Sequence, residues 1–196
     1  MTDHEIIQQV LSGNPDRFSL LVERYQPVVF RTCMGFVHDQ DDADDLSQEI
    51  FIQAYLSLSS FKGESAFPTW IYRIAVNAAL NKSRKTAKNF LTLRLNKMLG
   101  VGKRELIDAA SGESPEDLFI REEHRQWVQD ALDSLPKNQH TAIVLSKYDD
   151  LPQKEIAAIM GISEGAVEAL IQRAKAGLRE ELSAAAKKNK KNRRKN

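Results

Sequence analysis

Asp41-Asp42-Ala43-Asp44-Asp45 is the densest cluster of potential ligand atoms in this 196-residue sequence. Asp-Asp-x-x-Asp on a helix can hold magnesium ions against a diphosphate, as prenyl-transfer enzymes do. That chemistry needs a large helical cavity and a second acidic cluster, and the sequence offers neither. A calcium loop fails too, for want of the glycine that makes its sharp turn. His4, His38, His124 and His140 are scattered, with no paired carboxylate or thiol at a working spacing. No catalytic residue, metal site or cofactor is therefore expected.

Binding patterns are more specific. Asp44, Asp45, Gln48, Glu49 and Gln53 fall on one helical face, opposite Leu46, Ile50 and Ala54. A solvated face is the ordinary meaning of such charge, but its density beside a strongly basic stretch equally suits a protein-docking surface. Further on, Arg73, Asn77, Asn81 and Arg84 recur at four, four and three, so they form one polar stripe while Ile71, Ala75 and Ala78 form the apolar one. Asparagine is a poor helix former. Two on one face suit base edges, with arginines on phosphates. Just upstream, Phe61-Lys62-Gly63-Glu64-Ser65-Ala66-Phe67 puts aromatics, a glycine and a lysine in a loop beside Trp70. Such a loop can hold an unstacked base; alternatively its phenylalanines plug the core.

The third pattern is a helix-turn-helix over Gln153 to Val167. Ala157 permits close approach of the second helix, Gly161 can take the left-handed turn, Ser163 caps the second helix and Val167 packs between the two. Leu170, Ile171, Ala174, Leu178 and Leu182 continue its apolar stripe. The usual meaning is duplex DNA read in the major groove; an ordinary helical hairpin is the alternative.

Apolar residues recur at three and four throughout, so the chain is expected to be all-α, in two small helical domains. Residues 1–87 form the first, with helices ending near Leu11, opening at Asn14-Pro15 with a kink at Pro27, resuming after a polar break at Asp39 to Asp42, and starting near Pro68 to end about Arg84. Residues 88–113, with Gly100, Gly102 and Gly112, read as a linker bearing one amphipathic turn at Phe90 to Leu99. Ser114-Pro115-Glu116-Asp117 opens the second domain, residues 114–184. A basic tail over 185–196 is expected to be disordered, serving non-specific DNA binding or solubility.

Net charge is +1, but it is distributed in blocks: −7 over 1–60, +9 over 61–104, −8 over 105–186 and +7 over 187–196. Different stretches should face different partners. The lone Cys33 excludes an internal disulfide, and among Val28, Val29, Phe30 and Phe36 it reads as a buried, inert thiol. No run of about 18 apolar residues could span a membrane, and no signal sequence opens the chain, which points to the cytoplasm.

The order of these features resembles the extracytoplasmic-function (ECF) sigma factors of the sigma-70 family. The runs Asp41 to Phe51 and Phe61 to Asn77 resemble their region 2. Leu135-Pro136 and the helix-turn-helix through Ala174 resemble region 4. The resemblance implies a factor that directs core RNA polymerase to promoters. Asp41, Asp44, Asp45, Gln48, Glu49 and Gln53 would dock on the β′ clamp helices. Phe61, Lys62, Gly63, Ser65, Ala66, Phe67, Trp70, Arg73, Asn77, Asn81 and Arg84 would recognise the −10 element and capture a flipped non-template base. Ser163, Glu164, Gly165, Ala166, Glu168, Ala169, Gln172, Arg173 and Lys175 would read the −35 duplex, region 4 also touching the β flap. An anti-sigma factor is a further implied partner. One departure is Glu168-Ala169-Leu170, where many members carry cations and a serine. A carboxylate cannot grip phosphate, although it can accept from a cytosine amino group. The competing functional reading is a stand-alone helix-turn-helix regulator, which leaves the acidic face and the Asn stripe unexplained.

Overall fold

A computed structural model describes residues 1–98 and 115–193, and side chains over 1–82 and 123–187. Eight α-helices make up these residues, with no strand among them. The first, α1 (Asp3–Leu11), begins with reciprocal capping: Glu5 N donates to Thr2 Oγ1 and Thr2 N to the Glu5 carboxylate at 2.8 Å. Its Ile6, Ile7 and Val10 are buried. A 3₁₀ turn at Pro15–Phe18 leads into α2 (Ser19–Val37), which runs without interruption through Pro27. Tyr25 ties α2 to α1 by donating to Asp3 at 2.6 Å.

His38 ends α2 in the left-handed conformation, φ 59°, and Asp39 at once caps α3 (Gln40–Ser57) by accepting from Asp42 N at 2.9 Å. The expected break at Asp39 to Asp42 thus shrinks to two residues. Asp41 and Asp42 occupy the first helical turn, where the helix dipole favours carboxylates.

The loop after Ser60 opens α4 (Phe67–Met98), which overruns its expected end near Arg84 and includes most of the turn expected at Phe90 to Leu99. Residues 85–98 contain neither Gly nor Pro, so no helix-breaking residue interrupts them. The rest of the expected linker, 99–113, lies outside the described residues, as do the side chain of Arg84 and the cap at Ser114.

In the C-terminal half, α5 (Pro115–Ser134) stops before Pro136, and α6 (Lys137–Lys147), α7 (Gln153–Met160) and α8 (Glu164–Arg193) follow. Gly161 adopts φ 68° at the tight turn between α7 and α8, and Ser163 Oγ accepts from Ala166 N at 3.3 Å. Val167 is fully buried between the two helices. Past Leu182, α8 continues through Arg193, over the stretch expected to be disordered. Ala184 to Ala186 and the lysines that follow are good helix formers.

The halves share one connected set of buried apolar side chains, from Ile6 and Leu21 through Phe36 and Ile71 to Val144, Ile156 and Ala174. Gly35 of α2 packs directly against Val144 of α6. A Cβ there would lie 2.6 Å from Val144 Cγ1, so only glycine lets the helices meet at this distance. Helices α4 and α7 also pack together, so the closed arrangement touches both domains at two places.

Candidate functional site

The acidic face forms as its spacing requires. Leu46, Ile50 and Ala54 are buried while Asp41, Asp44, Asp45, Gln48, Glu49 and Gln53 point outward. Asp42 is used internally, paired with Lys82 of α4 at 2.9 Å. Two side chains missed by the sequence reading extend this surface: Ile52 and Leu56 are 61% and 75% exposed, four residues apart on α3. The missed signal was an apolar pair off the buried stripe. An exposed apolar strip beside carboxylates offers what a protein-docking surface needs, which a merely solvated face does not require.

The loop serves core and cleft at once. Phe67 is buried, with ring centroids 5.3 Å from Tyr25 and 5.6 Å from Trp70, so it plugs the core. Phe61 stays half-exposed against Trp70 at 5.2 Å. Gly63 takes φ 73° at the turn, with open space where a Cβ would sit. A cleft of about 280 Å³ results, lined by Phe61, Lys62, Glu64, Ser65, Trp70 and Arg73; Ala66 lies exposed beside it, its carbonyl accepting from Trp70 N at 3.2 Å. Aromatic rings, a hydroxyl and two cations are what a flat polar ring with a nearby phosphate would need.

The polar stripe of α4 is only partly free. Arg73 reaches across to α7, where it donates to the carbonyls of Ile159 at 3.2 Å and Ala158 at 2.6 Å. These belong to the last turn, whose carbonyls lack helical partners and carry the negative end of the dipole. Asn77 lines a second cleft, of about 360 Å³, opposite Asn138, Thr141, Met160 and Gly161. Asn81 is exposed.

On α8, Glu164, Gly165, Glu168, Ala169, Gln172, Arg173 and Lys175 are all exposed, as is Ser163 before them; Ala166 is half-buried. The second helix therefore presents one continuous outer face.

Two buried polar groups between the halves escaped the sequence reading. The Asp149 side chain is fully buried, accepting from Thr32 Oγ1 at 2.8 Å and Arg31 Nε at 3.1 Å. Burial pushes its pKa up, against the downward pull of Thr32 and Arg31, while Asp149 raises that of Arg31. The two shifts differ in kind because Asp149 is desolvated and Arg31 is half-exposed, so burial dominates the carboxylate alone. The Thr32 hydroxyl also lies 3.0 Å from the Val28 carbonyl and has one proton for two acceptors. Cys33, fully buried nearby, has its thiol pushed up to about 12 by burial and then by Asp149, and is inert.

The histidines that read as scattered are not all so in space. The fold brings His38 and His140 together with Asp133. Both Nε2 atoms are buried without a hydrogen-bond partner, each a cost of about 1–3 kcal/mol. Burial lowers the pKa of His140, against the upward pull of Asp133 and the Gly35 backbone.

Residues 21–89 match the family model for sigma-70 region 2, and residues 125–178 that for sigma-70 region 4. The chain is 39% identical over 190 residues to the ECF RNA polymerase sigma-E factor of Escherichia coli, covering 89% of this chain and 91% of that protein. It is 35% identical over 177 residues to the RNA polymerase sigma-H factor of Pseudomonas aeruginosa, covering 88% and 90%. Among solved structures, CnrH in complex with the cytosolic domain of CnrY aligns with a TM-score of 0.63 at 26% identity, over 93% of this chain and 97% of that one. The sigma factor RpoE of Bartonella quintana, solved with the anti-sigma factor NepR, shares the fold at a TM-score of 0.54 and 23% identity, over 85% and 96%.

Proposed function

The chain belongs to the ECF sigma factors of the sigma-70 family, and from that premise we propose how its surfaces divide the work of starting transcription. A sigma factor directs core RNA polymerase to promoters and is an initiation factor rather than an enzyme. In our reading the α3 face of Asp41, Asp44, Asp45, Gln48, Glu49 and Gln53, with Ile52 and Leu56, docks on the β′ clamp helices. Charge steers the encounter and the apolar pair holds it.

The cleft at Phe61, Lys62, Ser65 and Trp70 takes the flipped non-template base of the −10 element, while Asn77 and Asn81 address base edges and Arg73 phosphate. Base–aromatic stacking contributes roughly 1–3 kcal/mol per base. Unstacking costs a similar amount, so a small cleft can tip strand opening. The outer face of α8 reads the −35 element as duplex, as a groove-seated helix does, and region 4 also contacts the β flap. Control by an anti-sigma factor follows from the family. The factor acts in the cytoplasm beside polymerase; no helix of the described residues is long and apolar enough to cross a membrane.

One observation carries this reading: a stacking cleft beside an Asn stripe and an open recognition helix lie on a single chain. The test is run-off transcription with core polymerase on a mapped promoter, with permanganate footprinting of the opened strands. Asn77→Ala with Asn81→Ala should reduce opening at least about tenfold, as expected for losing contacts of about 1–3 kcal/mol each, while binding to core stays intact. Normal opening by the double variant would overturn the base-contact assignment.

A further inference from the structure

We propose that His38, His140 and Asp133 form a binding site for a divalent transition metal of the zinc class, which staples the two halves together in the closed arrangement. The donors converge from three helices and both domains: His38 at the end of α2, Asp133 on α5 and His140 on α6. Their ligand atoms all lie within 4.8 Å of one another, and His38 Nε2 is 3.7 Å from Asp133 Oδ1.

Both imidazole Nε2 atoms are buried and without a hydrogen-bond partner. The His38 side chain is only 9% exposed, and His140 is 4% exposed. Neither nitrogen has a hydrogen-bond partner, and the two rings lie close, their centroids 6.4 Å apart. Phe36, its ring centroid 4.9 Å from that of His140, supplies an apolar wall.

Two imidazoles, one carboxylate and a water suit zinc and its neighbours among the first-row metals. Bonds of about 2.0–2.2 Å to a tetrahedral ion bring ligand atoms to about 3.3 Å apart, so the three need to draw in by about an ångström. Asp133, 44% exposed, is free to make that movement and leaves an entry path from solvent. Because His38 belongs to the first domain and the other two to the second, binding is necessarily coupled to closure. An ion with higher affinity for the closed form shifts the population toward it by that difference.

The experiment uses the full chain, stripped of metal, titrated with Co²⁺ under visible absorption and then with Zn²⁺ as competitor. Hydrogen exchange at the α2–α6 contact is followed in parallel. The expected result is one Co²⁺ per chain with the intense bands of tetrahedral cobalt, displaced by Zn²⁺. Affinity should fall at least about tenfold in both His38→Asn, which keeps the left-handed cap, and Asp133→Asn, which alters an exposed side chain. Protection near Gly35 and Val144 should rise with Zn²⁺ in the wild type and not in Asp133→Asn. Absence of saturable binding, or an affinity that neither variant changes, overturns the site; binding without added protection overturns the staple. Neither readout involves transcription, so failure here is separable from failure of the promoter-reading assignment.

Discussion

The two surfaces proposed to read promoter DNA differ in what covers them. The α8 face from Ser163 to Lys175 is open to solvent, whereas the α4 stripe is turned toward the other domain, with Arg73 bonded to the end of α7 and Asn77 lining the cleft beneath it. Closure therefore leaves the duplex reader uncommitted and engages part of the single-strand reader, Arg73, while Asn77 and Asn81 stay exposed. The difference resides in the contact between domains, because each surface is built locally by its own helices. A melted strand seated on this stripe would have to compete with the α7 carbonyls for Arg73.

The comparison breaks most decisively at Gly35. Gly35→Ala would place a methyl group 2.6 Å from Val144 Cγ1. Overpacking of this kind typically costs about 1–3 kcal/mol, all of it borne by the closed form, while α2 itself gains roughly 0.8–1 kcal/mol of helix propensity. Small-angle scattering should show a larger radius of gyration, and exchange should speed up along α4 and α7 while α2 stays protected. An unchanged radius would mean that the domain contact does not depend on this close approach.

Arg73→Ala is expected to act on both sides of the comparison, with a smaller effect. It removes two hydrogen bonds to α7, each with a net value of about 0.5–1.5 kcal/mol, and thus loosens closure. It also removes the cation proposed for −10 phosphate. Exchange in free protein should rise at Ala158 and Ile159, yet open-complex formation with polymerase should fall. A variant that opened promoters better than the wild type would show that Arg73 serves closure alone.

Asp149 makes the contact sensitive to pH. Its raised pKa means that closure makes protonation of this carboxyl easier than in the open form. A protonated Asp149 can donate to Thr32 Oγ1, releasing the Thr32 proton for the Val28 carbonyl, so that both acceptors beside Thr32 are served. The contribution to closure is then complete below the ordinary aspartate value of about 4 and is lost as pH rises through the raised value. Arg31 and Asp150 are the other charges acting on it. Interdomain protection measured from pH 4 to 7 should decline more steeply in the wild type than in Asp149→Asn, whose amide does not titrate. Parallel curves would remove Asp149 from the latch.

These particulars also mark how far the sequence could be read. The helix-turn-helix was legible because Ala157, Gly161, Ser163 and Val167 each do a local job within 11 residues. The acidic face and Asn stripe were legible because helical periodicity alone sets them. Arg73 with Ile159, 86 positions apart, and Arg31 with Asp149, 118 apart, depend on tertiary closure, which leaves no local pattern. So does the meeting of His38 with His140. Gly35 was a local trace, a costly residue inside a helix whose reason is the Val144 and Tyr148 side chains pressed against it. The overruns of α4 and α8 have another origin: a helix ends at a stop signal, and lost periodicity or a run of cations is not one.

The smallest expected effect lies on the open surface. Glu168 points outward from α8, and with Glu164 one turn earlier it puts two carboxylates near any phosphate the helix approaches. Glu168→Arg should strengthen binding of the holoenzyme to promoter duplex only a few-fold, because one added phosphate contact is partly screened at physiological salt. The sharper readout is the salt dependence. One more neutralised phosphate steepens the slope of log K against log salt by about 0.9, independent of −35 sequence. If the variant instead loses discrimination at one position of the −35 element without a change of slope, Glu168 reads a base, and cytosine, whose amino group can donate to a carboxylate, is the base it selects.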